Sequence, residues 1–309
     1  MADIIISEFM DESVIARAFA GYDVVYDPNL VDKPDALRSA VADARALVVR
    51  NRTQVRGDLL AAAGQLKVVG RLGVGLDNID LDDCAARGIK VCPATGANDD
   101  AVAEYVTAAA LILLRGAWHA RDDVSAGGWP RMTLVGHEVA RKTLGLLGYG
   151  AIARETARRA SALGMIVTAT DPYLPVDDPR WNETRRLPFE AMISGADVVS
   201  LHVPLTEHTR HIIDADAIGL MKPGAMLINA ARGGVVDENA LVAALKSGHL
   251  GGAALDVFET EPLTAQAGAA FSGLRNVLLT PHIAGVTHES NTRVSQATAE
   301  NVLRELNSD

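Results

Sequence analysis

The stretch KTLGLLGYGAIARETARRA, Lys142–Ala160, followed by DPY at Asp171–Tyr173, decides how this chain is read. Leu144–Leu147 is a continuous apolar run of the kind that forms a buried parallel strand, and Met165–Thr170 supplies the next one. Between them a helix is predicted to start near Ala151. Gly148 permits a tight turn at the end of the first strand, and Gly150 lets backbone approach a phosphate closely. The helix start then aims unpaired N–H groups and the positive end of its dipole at negative charge. Ala153 replaces the third glycine of G-x-G-x-x-G, which adds one methyl group where helix meets strand. A glycine trio alone also occurs in turns that hold no ligand, so the context decides. Asp171 falls 23 residues after Gly148, close to the spacing of a carboxylate that accepts ribose hydroxyls. It also repels a 2′-phosphate, and no arginine follows it directly, so NAD is expected rather than NADP.

The whole chain bounds the rest. Its 309 residues, 49% hydrophobic, suffice for two domains with large cores. A net charge of −10 without a basic stripe argues against nucleic acid, so anionic ligands must be held by a few local cations. Cys84 and Cys92 are the only cysteines and lack zinc-site spacing, which predicts buried thiols in a reducing compartment. The first residues carry Asp3 and Glu8 and no basic region, so no signal peptide is expected. The apolar stretch Val106–Leu114 stops at Arg115 and is too short to span a bilayer. These readings predict a soluble cytoplasmic protein with no membrane partner.

Strand and helix patterns alternate along the first part. Strands are predicted at Ile4–Ile6, Val24–Tyr26, Ala46–Val49, Lys67–Gly70 and Ile89–Cys92, and helices at Ser13–Ala20, Asp35–Ala44 and Arg56–Ala63. Asn98–Leu114 reads as a long, Ala-rich helix, buried or at an interface. Further strands are expected at Val198–Leu201, Ala225–Asn229, Gly252–Leu255 and Val277–Leu279, with Pro172–Pro179 a surface loop. The helix Thr287–Leu306 comes too late to extend the second sheet and is expected to return to the first domain. The fold class is α/β, with two doubly wound, Rossmann-like parallel sheets and an active-site cleft between the domains. Residues 1–97 and 284–309 form a discontinuous substrate-binding domain in this reading, and residues 98–283 an NAD-binding domain.

Three segments place ionisable groups where a sheet exposes them. In INAARGGVVDE, Arg232 follows a strand, at the carboxyl end where open α/β sheets bind ligands. Its guanidinium fork can hold the carboxylate and carbonyl oxygens of a 2-oxo acid together. In ALDVFETEP, Asp256 ends a strand and Glu261 precedes Pro262, and in LLTPHIAG, His282 follows a strand and a proline. Singly, each could be a solvated loop charge. Together they are what hydride transfer from a secondary alcohol needs: an imidazole base near neutral pH, a carboxylate that favours the imidazolium, and a cation that polarises the carbonyl.

GLLGYGAIA with Asp171, LHVPLT (Leu201–Thr206), NAARGGVVDE, ALDVFETEP and TPHIAG together resemble the D-isomer-specific 2-hydroxyacid dehydrogenase family, most of all its phosphoglycerate dehydrogenase branch. VVRNRTQV (Val48–Val55) and VVGRLGVGLDNID (Val68–Asp80) resemble that branch's substrate loops, so the likeness covers nearly the whole chain. It implies that Arg232, Glu261 and His282 are the catalytic trio. It implies an NAD site of Gly148, Tyr149, Gly150, Ala151, Ile152, Asp171, His202, Val203, Pro204, Ala230, Ala231 and Asp256, with Asp256 accepting from the nicotinamide carboxamide. The backbone at Val74 and Gly75 is implied to donate to the substrate carboxylate, which Arg232 also meets. A homodimer or homotetramer is implied, with the Asn98–Leu114 helix a candidate contact. The chain ends soon after its last helix, so the serine-binding domain of longer phosphoglycerate dehydrogenases is not expected, nor is inhibition by serine.

The substrate is expected to be a small anionic acid. Arg50 and Arg52 lie two residues apart; in an extended stretch both side chains leave on one side, which suits a second anion at C3, as in 3-phosphoglycerate or 3-sulfolactate. Alternatively one of them packs and the other is solvated. A glyoxylate or hydroxypyruvate reductase is the rival enzyme reading, and a non-enzymatic NAD-sensing protein the rival class. His208 and His211 have helical spacing but no third ligand nearby, so no metal is expected. Trp118 and Trp129, flanking Gly127–Gly128, are expected to be packing residues. Glu104 and Tyr105 sit in the long helix, where sequence alone does not place them against the cofactor.

Overall fold

A computed structural model describes residues 2–181 and 184–308. The chain divides into two compact units, Met1–Asn98 with Val286–Asp309, and Asp99–Gly285.

The first unit is built on five parallel strands, β1 (Ile4–Ile6), β2 (Val24–Tyr26), β3 (Ala46–Val49), β4 (Val68–Arg71) and β5 (Lys90–Pro93), in the order β2-β1-β3-β4-β5. β1, β3 and β4 are buried along their whole length, because helices cover both faces; hence the unbroken apolar runs of β1 and β3 instead of alternation, while β4 ends on the buried Arg71. Asp11 starts the helix Glu12–Ala18 by accepting from the Ser13 and Val14 amides. The last helix, His288–Leu306, starts at a capping box in which Thr287 and Ser290 satisfy each other's amides. Its Val294, Ala299, Val302 and Leu306 share a core with Ile4, Ile6, Val48 and Val68. Strand order reverses at β1/β3, so the crevice beyond the carboxyl ends of those two strands is this unit's ligand position by topology.

The second unit has seven parallel strands: β6 (Thr143–Leu147), β7 (Ile166–Thr170), β8 (Arg185–Arg186), β9 (Val198–Leu201), β10 (Ala225–Asn229), β11 (Leu250–Leu255) and β12 (Val277–Leu279). Their order is β12-β11-β10-β9-β6-β7-β8, with the switch point between β6 and β9. The long helix Asp99–Arg115 and the helix Ala151–Ala162 pack on one face, burying Val106, Leu113, Leu144, Leu146 and Ala157 together. Arg159, 16% exposed, ties the two helices by reaching Asp100 at 2.6 Å and Glu104 at 3.5 Å. Glu104 is thus committed to this ion-pair group.

Most element bounds lie within a few residues of the expected ones. The expectation for the two tryptophans fails, and of the two cysteines expected to be buried only Cys84 is. Trp118 and Trp129 are not packing residues: they are 41% and 81% exposed, on an arm between Gly116 and His137. This arm also exposes Met132 and Val135, and among the described residues no core cluster includes them. Among the described residues no helix is long and apolar enough to cross a membrane.

Leu146, wholly buried in β6, should be among the costliest core positions to truncate. Leu146→Ala is expected to lower unfolding stability by about 3 kcal/mol in urea titrations. A loss below about 1 kcal/mol would contradict the packing described.

Candidate active site

The turn after β6 combines two demands that only glycine meets. Gly148 has φ +88, and a Cβ there would lie 2.6 Å from the His202 carbonyl oxygen. The turn therefore sits directly against the segment leaving β9, across the switch point. Gly150 faces open space, with nothing within 4 Å of a would-be Cβ, and no side chain caps the helix that follows. That leaves a concave backbone surface with free amides at a helix start, the arrangement a pyrophosphate fills. Asp171 closes it: Oδ2 accepts from the Tyr149 amide at 2.9 Å, and Oδ1 accepts from Tyr173 and Leu174. Each oxygen keeps acceptor capacity for a ribose hydroxyl. His202 lies beside the turn with Nε2 3.0 Å from Ser200 Oγ. Burial lowers its pKa to about 4, so it stands there as a neutral imidazole. Tyr149 points away from the turn surface; it is 3% exposed and stacks on Trp181 with centroids 4.9 Å apart. Val203, Pro204, Ala230 and Ala231 follow β9 and β10 at the same sheet edge. The residues present fit a dinucleotide.

At the end of β11, Asp256 organises the segment that carries His282. The Asp256 carboxylate is 1% exposed. Its Oδ1 accepts from Thr280 Oγ1 at 2.6 Å and from the Ile283 amide at 2.8 Å, while Oδ2 accepts from the Ala284 amide at 2.7 Å. The His282 amide donates to the Asp256 carbonyl at 2.8 Å. These bonds hold His282 at φ +57, a left-handed conformation uncommon for residues other than glycine. Tyr105 extends the chain from the long helix, its hydroxyl 2.6 Å from Thr280 Oγ1. Asp256, expected to meet a carboxamide, thus already serves three protein donors.

The imidazole so presented meets Glu261, with Nδ1 2.7 Å from Oε2 and both side chains about one third exposed. Burial pushes the Glu261 carboxyl up, but the His282 bond and charge, the Phe258 amide and the Arg232 charge outweigh it and bring it below its ordinary value of 4.5. With Nδ1–H donated to Glu261, Nε2 carries the lone pair. Arg232 follows β10, where buried Asn229 fixes the turn by accepting from the Ala231 amide and donating to the Arg232 carbonyl. Gly233 touches the other segment: a Cβ there would lie 1.9 Å from the Phe258 carbonyl carbon. The structure thus brings Arg232, Glu261 and His282 to one edge of one sheet.

In the first unit, the switch point holds Glu8 and Arg50. Glu8, 4% exposed, accepts from the amides of Arg50, Arg52 and Thr53 at 2.8 to 3.1 Å. The stretch is bent rather than extended, and the two arginines go to different partners. Arg52 is exposed and ion-paired with Asp32. Arg50 donates to Asn291 Oδ1 at 2.8 Å and lies over the Phe9 ring at 5.7 Å. Burial lowers its pKa from the ordinary 12.5, with the Glu8 charge acting the other way. Val74 is 38% exposed on the loop after β4, and no described residue accepts from the Val74 or Gly75 amide. Glu8 and Asn291 were not signalled by sequence; an acid two residues past a strand was the one available hint. Among the described residues no group of three His, Cys, Asp or Glu could hold a metal ion.

The profile described as "D-isomer specific 2-hydroxyacid dehydrogenase, NAD binding domain" matches residues 107–284. The chain is 54% identical over 307 residues to an (S)-sulfolactate dehydrogenase of Chromohalobacter salexigens, covering 99% of each. It is 40% identical over 306 residues to D-3-phosphoglycerate dehydrogenase 2, chloroplastic, of Arabidopsis thaliana, covering 98% of this chain and 48% of that one, so it spans about half of that relative. The crystal structure of the Aquifex aeolicus D-lactate dehydrogenase complexed with NAD and lactic acid superposes with a TM-score of 0.87 at 28% identity, covering 99% and 96% of the two chains. Fold, site and likeness together define an NAD-dependent oxidoreductase of small organic acids. The chain belongs to the D-isomer-specific 2-hydroxyacid dehydrogenase family.

Two outcomes follow from this geometry. Gly148→Ala forces both a positive φ and a backbone clash, so NAD affinity measured by calorimetry should fall at least ten-fold; an unchanged affinity would contradict the turn as cofactor seat. A folded-state pKa below 4.5 at Glu261 means the group stabilises the fold above that value and ceases to as pH falls through its lowered pKa. The stability difference between the wild type and Glu261→Gln should therefore be present at neutral pH and vanish in acid, as read by denaturant unfolding across pH.

Proposed function

We propose that this protein interconverts a three-carbon 2-hydroxy acid and its 2-oxo acid, the substrate carrying a second anion at C3, with a 3-sulfolactate-type acid favoured over 3-phosphoglycerate. The observation that carries this is Arg50. It is a half-buried cation at a switch point, held by a neutral amide and a ring face, with no carboxylate at ion-pair distance among the described residues. A desolvated guanidinium in such surroundings gains from a bound anion. Arg52 is already neutralised by Asp32. One arginine without a carboxylate at ion-pair distance among the described residues matches a singly charged sulfonate better than a doubly charged phosphate, in line with the activity named for the Chromohalobacter relative.

In this reading Arg232 meets the substrate carboxylate and polarises the C2 oxygen, and the Val74 and Gly75 amides of the first unit are proposed as anion donors. NAD, when bound, supplies the hydride acceptor. His282 Nε2 takes the proton of the 2-hydroxyl as C2 loses its hydride, and Glu261 stabilises the imidazolium that results. Residues 1–97 and 284–309 are proposed as the substrate-binding domain and residues 98–283 as the NAD-binding domain.

We further propose a cytoplasmic homo-oligomer, the homodimer first. The exposed arm supports this, since Trp118, Trp129, Met132 and Val135 lie in one short segment. The long helix Asp99–Arg115 spends its apolar face in its own unit's core. Replacing Trp129 and Met132 together by glutamate should halve the mass seen by light scattering; an unchanged mass would place the contact elsewhere.

The test of substrate class is steady-state turnover with NAD on 3-sulfolactate, 3-phosphoglycerate, glycerate and lactate. The C3-charged acids should exceed glycerate in kcat/KM by at least ten-fold. Arg50→Ala should remove about 2 kcal/mol of that preference while leaving glycerate nearly unaffected. Equal loss on all four acids, or a preference carried by Arg52, would contradict the assignment.

A further inference from the structure

The segment bearing Glu261 and the segment bearing Arg232 close on each other through a pair of carboxylates that the proton-transfer scheme leaves unused. The Glu259 amide donates to Glu238 Oε1 at 2.7 Å, and the Glu238 amide donates to Glu259 Oε1 at 3.1 Å. Each acid thus satisfies the backbone of the other across 21 residues of sequence. Glu238 also opens the helix Glu238–Ser247, which follows the Arg232 turn directly. The two segments meet again where the Gly233 α-carbon abuts the Phe258 carbonyl.

His211 makes a third side of this junction. Its amide donates to the Gly234 carbonyl at 2.8 Å, and its Nε2 lies 3.2 Å from Glu259 Oε1, an ion-pair distance without hydrogen-bond alignment. Within the Glu261 segment, the Phe258 amide donates to Glu261 Oε1 at 3.0 Å. Glu261 is thereby bound to a backbone that Glu238 holds one residue further on. Burial, then the facing Glu259 and Glu261 charges, push the Glu238 carboxyl up against the opposing pull of the Glu259 amide and the His211 charge. Gathering three carboxylates here is electrostatically unfavourable, and helix capping alone does not require it: Asp237 already caps that helix, accepting from the Asn239 and Ala240 amides.

We infer that Glu238 and Glu259 form a clasp that acts on the reaction as a pair of positioning residues, keeping the Glu261–His282 pair at a fixed spacing from Arg232. The inference rests on the catalytic roles proposed above for those three residues. Removing the clasp frees the Glu261 segment to shift relative to the Arg232 turn, and the base loses its oriented partner. A cofactor seated at the Gly148 turn is unaffected, because neither acid reaches it.

The test uses the full chain with Glu238→Ala and Glu238→Gln, each examined by crystallography and steady-state kinetics. The amide oxygen of glutamine still accepts from the Glu259 N–H, whereas alanine leaves that amide open. Glu238→Ala should lower kcat at least ten-fold while KM for NADH stays within two-fold, and in its crystal structure the 2.7 Å His282–Glu261 contact should be broken or displaced. Glu238→Gln should keep that contact and recover kcat to within about three-fold of wild type. If Glu238→Ala does not fold, Glu259→Ala carries the same expectations, since it removes the other half of the clasp. An intact His282–Glu261 contact and unshifted Arg232 turn in the alanine variant would overturn the inference. So would failure of glutamine to restore both contact and rate. Because the crystallographic readout needs no turnover, a wild-type protein inactive on every 2-oxo acid overturns the proposed function and leaves the clasp to be decided by the contact alone.

Discussion

The buried carboxylate of Asp256 is the interaction on which the rest of the candidate site depends. A charge that is 1% exposed is tolerable only when its oxygens are satisfied, and here Thr280, Ile283 and Ala284 satisfy them. Those donors come from a segment 24 to 28 residues further on, so the carboxylate pulls the β12 exit loop over the end of β11. The energy of these bonds sustains the left-handed backbone at His282. From that backbone the imidazole meets Glu261, with Nδ1 2.7 Å from Oε2. Stability and the proposed function therefore meet at one residue: the bonds that close the loop also hold the backbone that carries the proposed base.

Close backbone approach is the second constraint, and it recurs at two places in the same sheet. At Gly148 the β6 turn abuts the His202 carbonyl, and at Gly233 the β10 turn abuts Phe258. Both contacts join neighbouring or near-neighbouring strand exits at the carboxyl edge. A dinucleotide seat and a set of ionisable groups can share one sheet edge only if the intervening turns carry no side chains there. Parallel topology supplies the edge; the glycines make room along it.

Much of the fold was legible because parallel strands buried on both faces announce themselves as apolar runs. Ile4–Ile6, Val198–Leu201, Ala225–Asn229 and Val277–Leu279 were readable to the residue. β8 was not, because two exposed arginines, Arg185 and Arg186, carry no apolar signal. The arm after the long helix misled for the opposite reason. Tryptophans read as buried by default, but Trp129 stands 81% exposed. At the site, residue types and strand ends indicated which side chains to consider. How Arg50 and Arg52 diverge was hidden, because Glu8, 42 residues away, bends the stretch by collecting its amides. The Glu238–Glu259 clasp was equally invisible, since it is made of backbone donors that leave no pattern in composition.

An imidazole held by Asp256 and Glu261 is proposed to perform the proton transfer, and the glycine turn is proposed to hold the cofactor separately. The most direct measurement is a comparison of His282→Asn with wild type, reading both kcat for a 2-oxo acid and Kd for NADH. The account predicts a fall in kcat of at least two orders of magnitude with Kd changed by less than two-fold. A variant that keeps its turnover, or one that loses cofactor binding in step with rate, would contradict it.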